Sequence, residues 1–113
     1  MPEIAADLYS TDGIHRDVAT GKAAIGRNEI ALSLTGFLGR MTKASWSTTK
    51  VLGRDKWLAA HYELTGYWKL RGGETRPVRL PGTHVFIIAG TRISQTMDFW
   101  SMDEFVQQLE GDI

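Results

Sequence analysis

Two titratable side chains, His84 and Asp98, stand near the far ends of one hairpin and carry the clearest chemistry in this chain. The first arm holds the most apolar run of the sequence, His84 to Ala89. Gly90-Thr91 then turns the chain into a second arm that ends in Phe99 and Trp100. The arms run antiparallel, so residues equidistant from the turn become neighbours. A three-residue loop puts His84 and Asp98 on one face, within about 4.5–8 Å. A two-residue loop puts them on opposite faces. The residues leave both registers open. On one face they make an imidazole–carboxylate pair on apolar strands, where low dielectric acts on both groups. His15 and Asp17 also share a face if Ile14 to Asp17 is a strand. The plainer reading of those two is an edge strand with solvated polar groups.

Several elements must position these groups. Residues 3–9 show helical spacing at Ile4 and Leu8, and Ser10 to Gly13 reads as a turn. Val18 to Ala24 reads as a loop around Gly21. Gly26 opens the clearest helix, with Ile30, Ala31, Leu34, Phe37, Leu38 and Met41 on one stripe and Gly39 near its end. Ala44 to Leu52 is rich in β-branched and aromatic residues, and Gly53 to Asp55 supplies a turn. Lys56 to Leu70 is a long strand with an apolar face of Leu58, Ala60, Tyr62, Leu64 and Trp68. Its mixed face carries Trp57, His61, Glu63 and Tyr67 and should meet solvent or a partner subunit. Arg71 to Glu74 makes another turn, and the return strand runs from Thr75 to Ala89. Pro81-Gly82 predicts a bulge within it, because proline cannot donate to the ladder. Ser101 and Glu104 have capping-box spacing before a short helix ending at Gly111. The resulting class is α+β: a curved antiparallel sheet wrapped around helices, forming a cone that suits small apolar molecules.

Composition removes some function classes. The chain has 113 residues, read as one domain over 1–113, with 13 basic and 13 acidic side chains. Its basic residues are scattered, which argues against nucleic acid as a partner. It has no cysteine, so thiol chemistry and zinc–cysteine sites are excluded. No apolar run reaches the length of a membrane span, and no secretion signal opens the chain, so a cytoplasmic protein is expected.

Three stretches together resemble the nuclear-transport-factor-2-like superfamily, a cystatin-like α+β roll, and within it the SnoaL-like polyketide cyclases. They are Leu8 to Asp17, the helix opening Gly26-Arg-Asn-Glu-Ile30, and the hairpin Gly82 to Phe86 with Arg92-Ile93 and Asp98-Phe-Trp100. The resemblance implies that His84 and Asp98 both face the pocket. It implies Asp98 as general acid/base, His84 polarising a substrate oxygen, and no cofactor. It also implies substrate contacts from His15, Asp17, Tyr62, Leu64, Phe86 and Trp100. Limonene-epoxide hydrolases of the same superfamily use an Arg–Asp pair on the long central strand, where this chain has Tyr62 and Leu64. Members also carry about 25 residues ahead of this starting point that close the pocket mouth. The first helix is therefore expected to be missing, either because the sequence is a truncated form or because another subunit supplies the cover, and a homodimer or larger assembly is expected.

Three functions follow from this. The first is a cofactor-independent cyclase, isomerase or lyase (dehydratase) acting by proton transfer on a small apolar, ring-containing carbonyl compound. The second is a non-catalytic binding or assembly module, and the third an epoxide-hydrolase-like hydrolase. A metal enzyme using His15, His84 and Asp98 is the weakest reading, because nothing in their spacing demands a metal.

Overall fold

The computed structural model describes residues 2–110. In chain order it contains α1 (Pro2–Ala6), β1 (Tyr9–Asp17), β2 (Lys22–Ile25), α2 (Arg27–Leu38), β3 (Met41–Arg54), β4 (Trp57–Lys69), β5 (Thr75–Ala89), β6 (Arg92–Trp100) and α3 (Met102–Glu110). The six strands form one sheet in the order β2-β1-β6-β5-β4-β3. Strands β3 to β6 are the expected meander, paired antiparallel. The β1–β2 hairpin joins its far side through a parallel β1–β6 pairing. No helix among the described residues is long and apolar enough to cross a membrane.

Several boundaries differ from the sequence reading. The first helix stops at Ala6, and Tyr9 already belongs to β1. Ser10 to Gly13 is not a free turn but an irregular part of β1. There the chain bows away from β6 between the pairs Tyr9–Ile93 and Ile14–Gln95. Lys22 to Ile25 is a strand, although lysine and alanine are poor strand formers, because β1 supplies its ladder. Helix α2 ends at Leu38 with Gly39 as its cap, so Met41 opens β3 while remaining buried. The serine cap is present, Ser101 Oγ accepting from the Glu104 N–H at 3.1 Å. Gly111 lies outside the described residues.

Pro81-Gly82 makes no bulge. The β4–β5 ladder runs in one register from Trp57–Ile87 to Lys69–Thr75, through Glu63–Pro81 and Tyr62–Gly82. The reason is strand direction. Arg79 turns its N–H and C=O away from β4, where Gln108 of α3 accepts from one at 2.7 Å and donates to the other at 2.8 Å. Pro81 is two residues on and faces the same way, and the β6 ladder begins only at Gly82–Trp100. Its missing N–H therefore costs no ladder bond.

The bulge lies instead on β6. Gly90 alone has positive φ (63°) in the Gly90-Thr91 turn, the type II′ pattern of a two-residue loop. That turn pairs Ala89 with Arg92 and Ile88 with Ile93, the register that would part His84 from Asp98. Ser94 is the extra residue that shifts the ladder by one, so Ile87 meets Gln95 and His84 meets Asp98 directly. The Ser94 hydroxyl donates to the Ile87 carbonyl at 3.1 Å.

The concave face carries the core. Met41, Tyr62 and Leu64 form its centre, with Phe37, Ala44 and Trp68 packed against them. Ile30 of α2 and Val78 and Leu80 of β5 are buried as well. Apolar alternation on β4 and β5 thus fills one side of the sheet, and α2 covers it.

Candidate active site

Between the concave face and helices α2 and α3 lies a cavity of about 530 Å³. Its walls are mostly apolar: Ile30, Leu34 and Phe37 from α2, Leu64 and Trp68 from β4, and Val78 and Leu80 from β5. Phe105 of α3 meets Trp100 and Trp68 edge-on, with ring centroids 5.6 and 5.1 Å away. These aromatic contacts build one end of the chamber.

The polar groups come from alternate rungs of the sheet, those whose side chains share the concave face. One rung reads Asp17, Asp98, His84 and Ala60 across β1, β6, β5 and β4, and the next on that face contains His15, Thr96 and Phe86. His84 Nε2 lies 3.4 Å from Asp98 Oδ1, an ion-pair contact whenever the imidazole is protonated. The Tyr62 hydroxyl donates to the same Oδ1 at 2.7 Å, and its ring stacks on His84 with centroids 4.6 Å apart. Tyr62 reaches Asp98 because it crosses above Gly82, its partner on β5, where any Cβ would overlap the phenol.

The other polar groups are tied down in turn. Trp100 Nε1 donates to Asp17 Oδ1 at 2.9 Å, and the Thr20 N–H donates to the same oxygen at 3.3 Å. His15 Nδ1 is 2.6 Å from Thr96 Oγ1, which also lies 2.7 Å from the Tyr9 hydroxyl. Thr96 is 2% exposed.

Burial controls the protonation of three of these groups. It pushes the Tyr62 phenol far above its ordinary value, aided by the hydrogen bond to Asp98 and the charges of Asp98 and Asp17. Burial raises Tyr9 as well, with the Thr96 hydrogen bond opposing and the Asp98 charge adding to it. Burial lowers His15, against the pull of the Asp98 carboxylate and with a smaller push from His84. The site therefore holds two protonated phenols and a neutral imidazole beside Asp98 and Asp17.

Of the residues singled out from the sequence, His15, Asp17, Tyr62, Leu64, His84, Asp98 and Trp100 all line this one cavity. Phe86 stands edge-on to the His84 ring at 5.9 Å and is not part of the cavity wall. His61 and Glu63 point to the other face, His61 Nδ1 lying 2.7 Å from Thr83 Oγ1 and Glu63 3.7 Å from the Arg79 guanidinium. Among the described residues no group of three His, Cys, Asp or Glu side chains could hold a metal ion. Tyr9 and Thr96 were not foreseen. Thr96 is reachable by period two from Asp98, but its meeting with His15 needs the parallel β1–β6 pairing.

No family model matches the sequence, and no curated protein matches it. Solved structures do. A protein of ketosteroid isomerase-like fold from Catenulispora acidiphila, solved in complex with trimethylamine, is 20% identical with a TM-score of 0.86, covering 95% of this chain and 80% of its own. A phenazine biosynthesis-related protein from Pseudomonas aeruginosa is 16% identical (TM-score 0.86), covering 99% and 77%. A protein from Shewanella putrefaciens assigned to the SnoaL-like polyketide cyclases is 12% identical (TM-score 0.87), covering 98% and 85%. Identities this low speak to fold, and the fold agrees throughout. The chain has the nuclear-transport-factor-2-like fold shared by the SnoaL-like proteins.

Proposed function

We propose that the cavity performs cofactor-independent proton transfer on a small, apolar, ring-containing carbonyl compound, with Asp98 as general base. One observation carries this reading. Tyr62 and His84 both meet one oxygen of Asp98, within a chamber whose walls are otherwise largely hydrocarbon. The second oxygen, Oδ2, has no protein partner among the described residues and is left to meet a ligand. In the reaction Asp98 takes the proton from the carbon beside the carbonyl, and the electron pair moves onto the carbonyl oxygen. Return of that proton to another carbon is isomerisation. Departure of a β-hydroxyl, which takes the proton back from Asp98 and leaves as water, is dehydration, and attack on a second carbonyl, whose oxygen takes that proton, is cyclisation. Tyr62 stays protonated throughout and holds the carboxylate in place, and the apolar walls exclude water from the enolate.

A simple probe tests this without the natural substrate. The protein should accelerate exchange of the α-protons of 2-tetralone in D₂O, followed by NMR. Asp98→Asn keeps the shape and removes the base, so exchange should fall by roughly 10²–10⁴ while tetralone affinity is nearly kept. Full exchange by Asp98→Asn would overturn the assignment. Tetralone binding to the wild type without any exchange would favour the binding-module reading.

A further inference from the structure

We infer that His15 presents an Nε2–H donor to the oxygen of a bound carbonyl compound, its tautomer set by a Tyr9–Thr96 hydrogen-bond chain. The argument is a count of protons. Thr96 Oγ1 carries one proton and has two partners in reach, the Tyr9 hydroxyl at 2.7 Å and His15 Nδ1 at 2.6 Å. Thr96 is buried, so that proton must be donated to one of them. Tyr9 keeps its own phenolic proton, because burial and the Asp98 charge oppose ionisation.

Three arrangements are then available. If Tyr9 donates to Thr96 and Thr96 donates to His15 Nδ1, every hydroxyl proton is used. If His15 Nδ1–H donates to Thr96 and Thr96 to Tyr9, the phenolic proton has no protein acceptor among the described residues. If both neighbours donate to Thr96, its own proton is orphaned in a buried position, at a cost of about 1–3 kcal/mol. The first arrangement leaves one group without a protein partner, the cavity-lining Nε2–H, whereas the second leaves two, the Tyr9 O–H and an unprotonated Nε2, so the first wins. It makes Nδ1 an acceptor, so the neutral imidazole carries its hydrogen on Nε2.

Nε2 has no protein partner among the described residues, and His15 lines the cavity. The Nε2 of His84, by contrast, is turned to Asp98. His15 and Asp98 sit on alternate rungs and neighbouring strands of one face. Such diagonal neighbours lie about 7–8 Å apart, room for a carbonyl oxygen beside one and its α-carbon beside the other. A neutral imidazole donor serves a developing oxyanion well, since it polarises the carbonyl without neutralising the base. The substrate oxygen thus falls to His15, and not to His84. This rests on the carbonyl-compound reading above, but its test needs no turnover.

Long-range ¹H–¹⁵N NMR of the labelled protein reads the tautomer of each histidine directly. His15 should be the Nε2–H tautomer, and Thr96→Val should abolish that single preference. Added 2-tetralone should shift the His15 Nε2–H signal, and tetralin, which lacks the oxygen, should not. His15→Phe should lower the affinity for tetralone relative to tetralin by about three- to tenfold. An Nδ1–H tautomer, or equal weakening of both ligands, would overturn the proposal. If tautomer and ligand preference hold but the wild type exchanges no α-protons, His15 stands and the catalytic role of Asp98 falls.

Discussion

At the scale of single residues, the least conspicuous member of the site is Gly82. Its missing side chain is the space through which Tyr62 reaches Asp98. Gly82→Ala would gain about 0.4–1 kcal/mol from a stiffer unfolded chain, but overlap with the phenol costs about 1–3 kcal/mol and should dominate. The ring would be driven off the carboxylate. Tyr62→Phe removes the same hydrogen bond without overlap, and a bond to a charged group is worth about 1.5–3 kcal/mol. Each variant should slow tetralone exchange by roughly 10–10²-fold. Because both act through one contact, the double variant should be little worse than either alone. Fully additive losses would show that Gly82 matters for some other reason. From the sequence, Pro81-Gly82 is the obvious bulge signal, and that signal misleads here. A glycine kept for the space above it looks the same as one kept for its backbone. Only the partner strand, which puts Tyr62 opposite, tells them apart.

At the scale of elements, Ser94 decides what the last hairpin can do. The two-residue turn alone would send Asp98 to the convex face, and the extra residue brings it back. Deleting Ser94 should invert every side chain beyond it on β6, exposing Thr96 and removing Asp98 and Trp100 from the cavity. We expect a strongly lowered melting temperature and no tetralone binding. Ser94→Ala loses only the bond to the Ile87 carbonyl and should cost about 1 kcal/mol. A deletion variant as stable as the wild type would mean that contacts elsewhere set the register. Helix α2, the meander and the serine cap of α3 were legible because periodicity, turn residues and caps act locally. His84 and Asp98 could be named because a hairpin joins them, but their shared face could not be derived. A serine inside a strand carries no chemical mark of a bulge. The parallel β1–β6 pairing left still less trace, since it joins residues about 80 positions apart with no turn between them to read.

At the scale of the molecule, the convex face remains to be accounted for. The rung Leu52, Ala59, Val85, Met97 is apolar across four strands, and Trp57 pairs with Ile87 beside it. Leu52, Trp57 and Phe99 are each more than 40% exposed on this surface. The molecule is elongated, 48 × 28 × 23 Å, so one long sheet face is offered to solvent. An apolar band with polar ends, where Glu63 meets Arg79 at one of them, has the pattern of an interface centre with its rim. Formal net charge is zero, so no long-range repulsion keeps copies apart. A homodimer through this face should bury about 800 Å² per partner. Sedimentation should therefore find a dimer at micromolar concentration. Val85→Glu puts a charge in the middle of the band and should release monomers. Val85 points away from the cavity, so those monomers should keep their affinity for 2-tetralone within about threefold. His61 and Glu63 lie toward the edge of the same face, and replacing both with Ala should leave binding within the same limit. A wild-type protein that sediments as a folded monomer at micromolar concentration would refute the interface. A Val85→Glu monomer that no longer binds tetralone would show that dimerisation completes the pocket, and the cavity could not then be treated as the property of one chain.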